Sequence, residues 1–409
     1  MWTASVISRF GDALRGPALA LVTAGLTRDP ESIALVVIAG QLPALLFGLL
    51  GGVLADRWDR RLSMAGADGL RFLVVAGLAA MIATGNASVP LLIVFAFVLS
   101  TAGTLFHSSA FAMLPELVPA DRLAKANGRM QVGTTISGGL LGAPVAGALF
   151  VVAAALPFAV DAVTFAVAAL LALSLPRTAP QATPPQGVAP PQGVAPPQGV
   201  APPQDVGPRA RAGLWGEAVA GVRWMWRAPM LRLLAGLTAA ANLVIGALMA
   251  VMVLLVLDVF RVPEAAYGLF TLVGAVGGIA GGLLASRLGA RLGDLRTLRW
   301  VMVVQAAALT GLAATTHVVV GWVTLAVFIA GGAVWNVLSN TYQQQSVPAD
   351  MRGRIGAATR VVAVVSAPIG AALGGLTAGQ LGVASVTWFG AAVFTGLAVA
   401  GWRALRSRE

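Results

Sequence analysis

The sequence predicts an all-α membrane protein of twelve transmembrane helices, arranged as two pseudo-symmetric six-helix bundles. Three observations carry that reading. Hydrophobic residues make up 58% of the 409 and charged residues only 11%, against about 45–50% and about 25% in a soluble domain. Apolar runs long enough to cross a bilayer, about 20 residues each, recur along the whole chain. Short segments of the first half also return in the second at a nearly constant offset.

The runs can be taken in order. The first, 3–26, has no short cleavable leader before it and reads as a retained helix, although Arg9, Asp12 and Arg15 lie inside it. Runs at 32–55, 66–86 and 89–113 follow. Pro157 is the main sign of a break between the fifth, 126–151, and the sixth, 156–175. The second set lies at 231–257, 265–287, 297–315, 319–342, 353–378 and 383–403. The chain therefore divides into an N-terminal bundle (1–176), a Pro-rich cytoplasmic linker (177–212), an interfacial amphipathic helix (213–230) and a C-terminal bundle (231–409).

A net charge of +11 invites a nucleic-acid partner, but its distribution argues against one. With the N-terminus inside, 23 of the 27 Lys and Arg fall in cytoplasmic segments, among them Arg57, Arg60, Arg61 and Arg71. Arg28 and Arg261 are the only two in external loops. This is the positive-inside pattern, which sets orientation. It predicts a multi-pass protein of a bacterial cytoplasmic (inner) membrane with both termini cytoplasmic; Arg outnumbers Lys 26 to 1, as in GC-rich genomes. Cysteine is absent and the two His lie far apart, so neither a disulfide, a metal cluster nor a cofactor is expected.

Internal repetition supports a duplicated unit. GGVLADR at 51–57 returns as GGLLASR at 281–287, an offset of 230. Val118, Pro119, Ala120 and Asp121 return as Val347, Pro348, Ala349 and Asp350. The segment 143–149 resembles 367–373. Parallel six-helix repeats build one large class of secondary transporter, with substrate held between the halves near midplane. In the linker, PPQGVA runs four times over 184–207, the last copy altered to PPQDVG. Paired prolines favour an extended polyproline segment that cannot form a packed core. Beyond it, Trp215, Val219, Val222 and Trp226 keep helical spacing opposite Glu217, Arg223 and Arg227, the pattern of a helix lying in the inner interface.

After the second run the chain reads Gly52, Val53, Leu54, Ala55, Asp56, Arg57, Trp58, Asp59, Arg60, Arg61. This resembles the signature loop of the major facilitator superfamily, and implies the major facilitator fold. Asp59 stands where that family usually has Gly, a departure shared with a branch of Tap-like, macrolide and enterobactin exporters. The same branch is followed in SRFGDAL at 8–14, LPELVPADRLAKANG at 114–128 and the segment 139–148. That last segment is similar to the family's antiporter motif, with Gly139, Pro144 and Gly147 matching but Ala143 and Ala148 replacing glycines. Asp56 ends the second helix, where the macrodipole disfavours an anion, so it should seek Arg57, Arg60 or the start of another helix. The resemblance implies that this gating loop docks near 352–356 and latches the cytoplasmic side. The second-half copy holds Ser286 in place of Asp56.

Ionisable groups inside a membrane helix are costly and usually functional. Asp12 has Arg9 and Arg15 one turn away on either side. The arginines would hold the carboxylate charged while burial opposes charge, so a conformational change that weakens those contacts would let a proton be carried. The alternative is a static ion pair holding the first helix. His107 shares a stripe with Ser100, Thr104 and Ser108, and titrates near neutrality. Asn336 is its counterpart at offset 229 and continues into Ser339, Asn340 and Gln343; Asn242 corresponds to Asp12. Helices 1, 4, 7 and 10 therefore each carry a polar stripe, with Trp335 beside one of them. These define a substrate cavity in which Asp12 should face Asn242 and His107 should face Asn336.

The resulting expectation is a monomeric, proton-coupled exporter of small amphipathic or cationic organic molecules, of drug or siderophore type, working by alternating access in membrane lipid. An uptake permease for a small polar nutrient and a non-transporting receptor are the alternatives. No Walker-type nucleotide loop and no nucleophile–base constellation is found, so an enzyme is not expected.

Overall fold

The computed structural model describes residues 2–57, 59–118, 122–174, 228–347 and 351–406; the expected linker and nearly all of the expected interfacial helix lie outside the described residues. All regular structure among the described residues is helical. The first half comprises α1 (Trp2–Leu26), α2 (Pro30–Arg57), α3 (Arg60–Ala83), α4 (Val89–Leu117), α5 (123–152) and α6 (Leu156–Leu173). The second comprises α7 (Pro229–Val259), α8 (Glu264–Leu292), α9 (Asp294–Ala314), α10 (Val318–Ser346), α11 (Arg352–Leu381) and α12 (Val383–Arg406). Eleven of the twelve are long and apolar enough to span a membrane. The exception is α1, whose hydropathy is lowered by Arg9, Asp12 and Arg15.

Local sequence sets the breaks. Asp29 accepts hydrogen bonds from the Ser32 hydroxyl (2.6 Å), the Ser32 amide (2.9 Å) and the Glu31 amide (3.3 Å), and so opens α2. The Ser32 hydroxyl bond holds the Asp29 carboxyl below the usual carboxylate range, which suits an anion at a helix N-terminus. Pro144 has no amide to donate and crowds the carbonyl one turn back; the stretch before it, Thr135–Gly142, widens into π-helical turns. Pro157 lies in the first turn of α6, just after the break at 153–155. Single glycines with positive φ, Gly293 (82°) and Gly382 (84°), reverse the chain between α8 and α9 and between α11 and α12. Few other residues adopt that backbone without strain.

Packing repeats with a shift of six helices. In the first half α1 packs on α5, α2 on α4, and α3 on α4 and α6; in the second α7 packs on α11, α8 on α10, and α9 on α10 and α12. The halves meet through α2 against α11 and α5 against α8, again a pair related by the same shift. Small residues permit close approach. Gly375 lies against Ala34 and the Pro30 carbonyl, Gly268 against the Ala143 carbonyl, and Gly147 against the Ala265 carbonyl. These contacts lie toward the end of the bundle remote from the start of α1, here called the far face. Arg28 also reaches Asp258 there, at 3.1 Å. These two residues are themselves 230 apart, the repeat offset.

One expectation needs correction. The charge pattern places Arg71 among the cytoplasmic cations, but α3 begins at Arg60 and carries it three turns, roughly 16 Å, into the bundle, where it is 1% exposed.

Gly281 and Gly282 separate interface from lipid face. A Cβ at Gly281 would overlap the Ala330 backbone, whereas one at Gly282 meets nothing within 4 Å. Gly281→Leu should therefore lower stability by about 1–3 kcal/mol through overpacking, and Gly282→Leu should be close to neutral. Thermal unfolding of the two purified variants checks this.

Candidate functional site

Five charged side chains from three helices meet inside the first half. On α1, Asp12 and Arg15 are one turn apart, and Arg15 donates to Asp12 at 2.5 Å and to Asp161 of α6 at 3.2 Å. On α3, Asp68 and Arg71 repeat the same spacing. Arg71 donates to Asp68 (3.0 Å), to the Ser8 hydroxyl (3.1 Å) and to Asp12. The Asp12 Oδ1 atom is thus shared by two guanidinium groups. Arg71 also stacks over the Phe165 ring, 3.9 Å from its centroid, a cation–π contact that is stronger away from water. Gly11 makes room for the assembly, since a Cβ there would overlap the side chains of Asp161 and Thr164.

Desolvating isolated charges in a membrane costs several kcal/mol each, so they must pair. Here they do. Asp68, Arg71 and Asp161 are fully or almost fully buried, and Asp12 and Arg15 keep only an edge toward open space. That space is a cavity of about 530 Å³ lined by α1, α2, α3, α4, α7 and α8. Asp12, Arg9, Arg15, Arg71, Thr104 and His107 border it from the first half, and Met249, Val253 and Tyr267 from the second. Arg9 and Asp12 also border a second opening, of about 460 Å³, between α1 and α5. A separate groove of about 1270 Å³ lies between Trp2 and Val6 of α1 and Gly133 to Leu141 of α5, with Arg122 and Arg129 also on its border and none of the five charges above.

The other expected residues fall elsewhere. Asn242, Trp335 and Asn336 line a small cleft of about 50 Å³ within the second half, distinct from the cavity that holds Asp12 and His107. The Asn242 amide donates to the Thr238 carbonyl (2.9 Å) and the Trp335 indole to the Thr238 hydroxyl (3.0 Å), so both are engaged locally. Gln343 donates to Thr359 at 2.8 Å, and Asn340 is exposed. Among the described residues Arg9 forms no ion pair with Asp12; Arg71 takes that place. Of the gating loop, the side chains at Gly52, Asp56, Arg57 and Arg60 lie outside the described residues, while Asp59 caps α3 through the amides of Arg61 (3.0 Å) and Leu62 (3.3 Å).

Sequence reasoning misses Asp68, the depth of Arg71 and the Arg15–Asp161 bond. The signal is there: an acid and an Arg three apart near an apolar run, as at Asp12 and Arg15. The second half does not repeat it at the matching positions. At offset 230 the counterparts of Asp12, Arg15, Asp68 and Arg71 are Asn242, Ile245, Leu298 and Val301. Leu298 and Val301 are ordinary buried core.

Two related six-helix bundles, closed on each other at one face around a cavity with paired charge in its wall, define the architecture of a secondary transporter. The Major Facilitator Superfamily model matches residues 1–371, and the chain belongs to that superfamily. It is similar to an uncharacterized MFS-type transporter of Mycobacterium bovis, 37% identical over 125 residues, covering 30% of this chain and 28% of that protein. It is also similar to macrolide efflux protein A of Streptococcus pyogenes, 30% identical over 139 residues and 34% of each chain. These matches span about a third or less of the relatives' own length. In fold it resembles the nucleoside transporter NupG (TM-score 0.68, 15% identity, 98% of each chain). It also resembles a bacterial homolog of the human lysosomal transporter Spinster, inward-facing and unoccupied (TM-score 0.69, 15% identity, 99% of this chain and 95% of that one).

Arg71→Leu should strand Asp68 without a cation and lower stability by about 3–5 kcal/mol. The joint change Asp68→Leu with Arg71→Leu, which imitates the apolar second half, should recover most of that loss. Thermal unfolding of both purified variants measures it.

Proposed function

We propose that this chain is a proton-coupled exporter of small amphipathic organic molecules, working by alternating access. The observation that carries the reading is the shared Asp12 carboxylate, held by Arg15 and Arg71 at the edge of the central cavity. A buried carboxylate with two arginine partners on different helices is a proton carrier if relative helix movement removes a partner. Moving α3 against α1 takes Arg71 from Asp12; Asp12 then accepts a proton, and the return movement expels it. His107, bordering the same cavity, relays protons to it.

The membrane orientation follows from the basic segments, with the termini in the bacterial cytoplasm. The far face is then external and closed, and the opening between α1 and α5 receives substrate from inside. During turnover the contacts of α2 with α11 and α5 with α8 loosen at the far face, and Arg28 parts from Asp258. On the cytoplasmic side, Gly52, Asp56, Arg57, Arg60 and Arg61 close against the start of α11. The likeness to macrolide efflux protein A supports outward transport.

The test is transport by the full chain in lipid vesicles containing a pH dye, with an imposed proton gradient and a fluorescent amphiphile. Wild type should couple dye movement to proton movement. Asp12→Asn should lose gradient-driven accumulation, retaining exchange of dye at equal pH. Undiminished gradient-driven transport by Asp12→Asn removes Asp12 from the coupling role; transport indifferent to the gradient in wild type overturns proton coupling altogether.

A further inference from the structure

Among the described residues, the charged groups facing the central cavity are Arg9, Arg15, Arg71 and Asp12, with the imidazole of His107 beside them; α2, α7 and α8 present no charge to it. The single carboxylate is already occupied, because both Arg15 and Arg71 converge on one of its oxygens. Asp68 and Asp161 stand behind the wall, each fully buried and each bonded to one of the same two arginines. Arg9 is different. It is exposed, it borders both openings, and no acid among the described residues pairs with it.

A cation entering this space finds no free carboxylate and meets Arg9. An anion finds a guanidinium with open donors beside the partly exposed edge of Arg15. Beyond Arg9 the wall is mostly apolar, from Leu19, Ile33, Val36, Leu99 and Val253, with the uncharged polar groups of Thr23, Gln41, Ser100 and Thr104 between them. A volume of about 530 Å³ suits a drug-sized ligand, since small-molecule pockets run to about 300–1,000 Å³. We infer that the transported molecule is an amphipathic organic anion, with its carboxylate, sulfonate or phosphate on Arg9 and its apolar body toward α2 and α7. This rests on the transporter reading above and replaces the cationic class expected from sequence. Guanidinium is suited to the task because its planar donors match an oxyanion in pairs, which an ammonium does not.

Binding separates this inference from the transport mechanism. The probes are carboxyfluorescein and rhodamine 6G, xanthene dyes of similar ring system and opposite charge, titrated by fluorescence polarisation into the purified full chain. Carboxyfluorescein should bind at least about tenfold more tightly than rhodamine 6G, the worth of one charge-assisted contact. Arg9→Gln should abolish that preference by weakening the anion alone, and Arg9→Lys should restore part of it. Equal binding, preference for rhodamine 6G, no carboxyfluorescein binding, or indifference to Arg9→Gln would each overturn the inference. Thermal unfolding of Arg9→Gln at wild-type temperature shows that the comparison is of folded proteins. Anion-selective binding without proton-driven movement in vesicles would instead overturn the exporter reading and leave the substrate class standing.

Discussion

The charged core of the first half is arranged around one carboxylate oxygen, that of Asp12, on which Arg15 and Arg71 converge. Hydrocarbon gives a charge no other refuge, so each arginine must bring its own acid, Asp161 for one and Asp68 for the other. The consequence is geometric. Three helices that do not follow one another in sequence, α1, α3 and α6, are tied at one depth by bonds that work only in a narrow range of distance. The missing side chain at Gly11, and the flat face of Phe165 under Arg71, let the charges meet.

The second half keeps the same helix packing without that device. Asn242, Ile245, Leu298 and Val301 occupy the matching positions, and apolar burial does there what ion pairing does in the first half. A core held by contacts of many atoms tolerates sliding by small increments, whereas an ion network has few acceptable geometries. The two bundles are therefore alike in shape and unlike in how they respond to displacement, the network centred on Asp12 lying in the first.

Much of the fold was legible because the membrane imposes a strong constraint. Segments of apolar residues can cross it only as helices that satisfy their own backbone, so run length and the repeat offset were enough to place twelve helices, including α1 with its three charges. The site was legible only in part. Asp12 stands between Arg9 and Arg15 in an otherwise uncharged first helix and draws attention, but Arg71 follows closely on Arg57, Arg60 and Arg61 and reads as one more surface cation. Its depth depends on where α3 starts, which apolarity does not mark, since the helix begins at Arg60 with charged and polar turns well before the apolar run. The separation of the polar stripes into two cavities could not be read at all. Helical spacing says which residues share a face, and only packing says which faces meet.

The contact between Arg28 and Asp258 carries a further meaning, because the two residues hold the same place in the two repeats. In a dimer of identical six-helix subunits, a position beside the two-fold axis meets its own copy across the interface. Arginine would then oppose arginine, or aspartate oppose aspartate. Attraction at that point requires the two copies to differ, which identical subunits cannot do and a single continuous chain can. Joining the halves thus gave this interface a chemistry closed to its symmetric equivalent: complementary charge at self-facing positions, at the very edge where the halves meet.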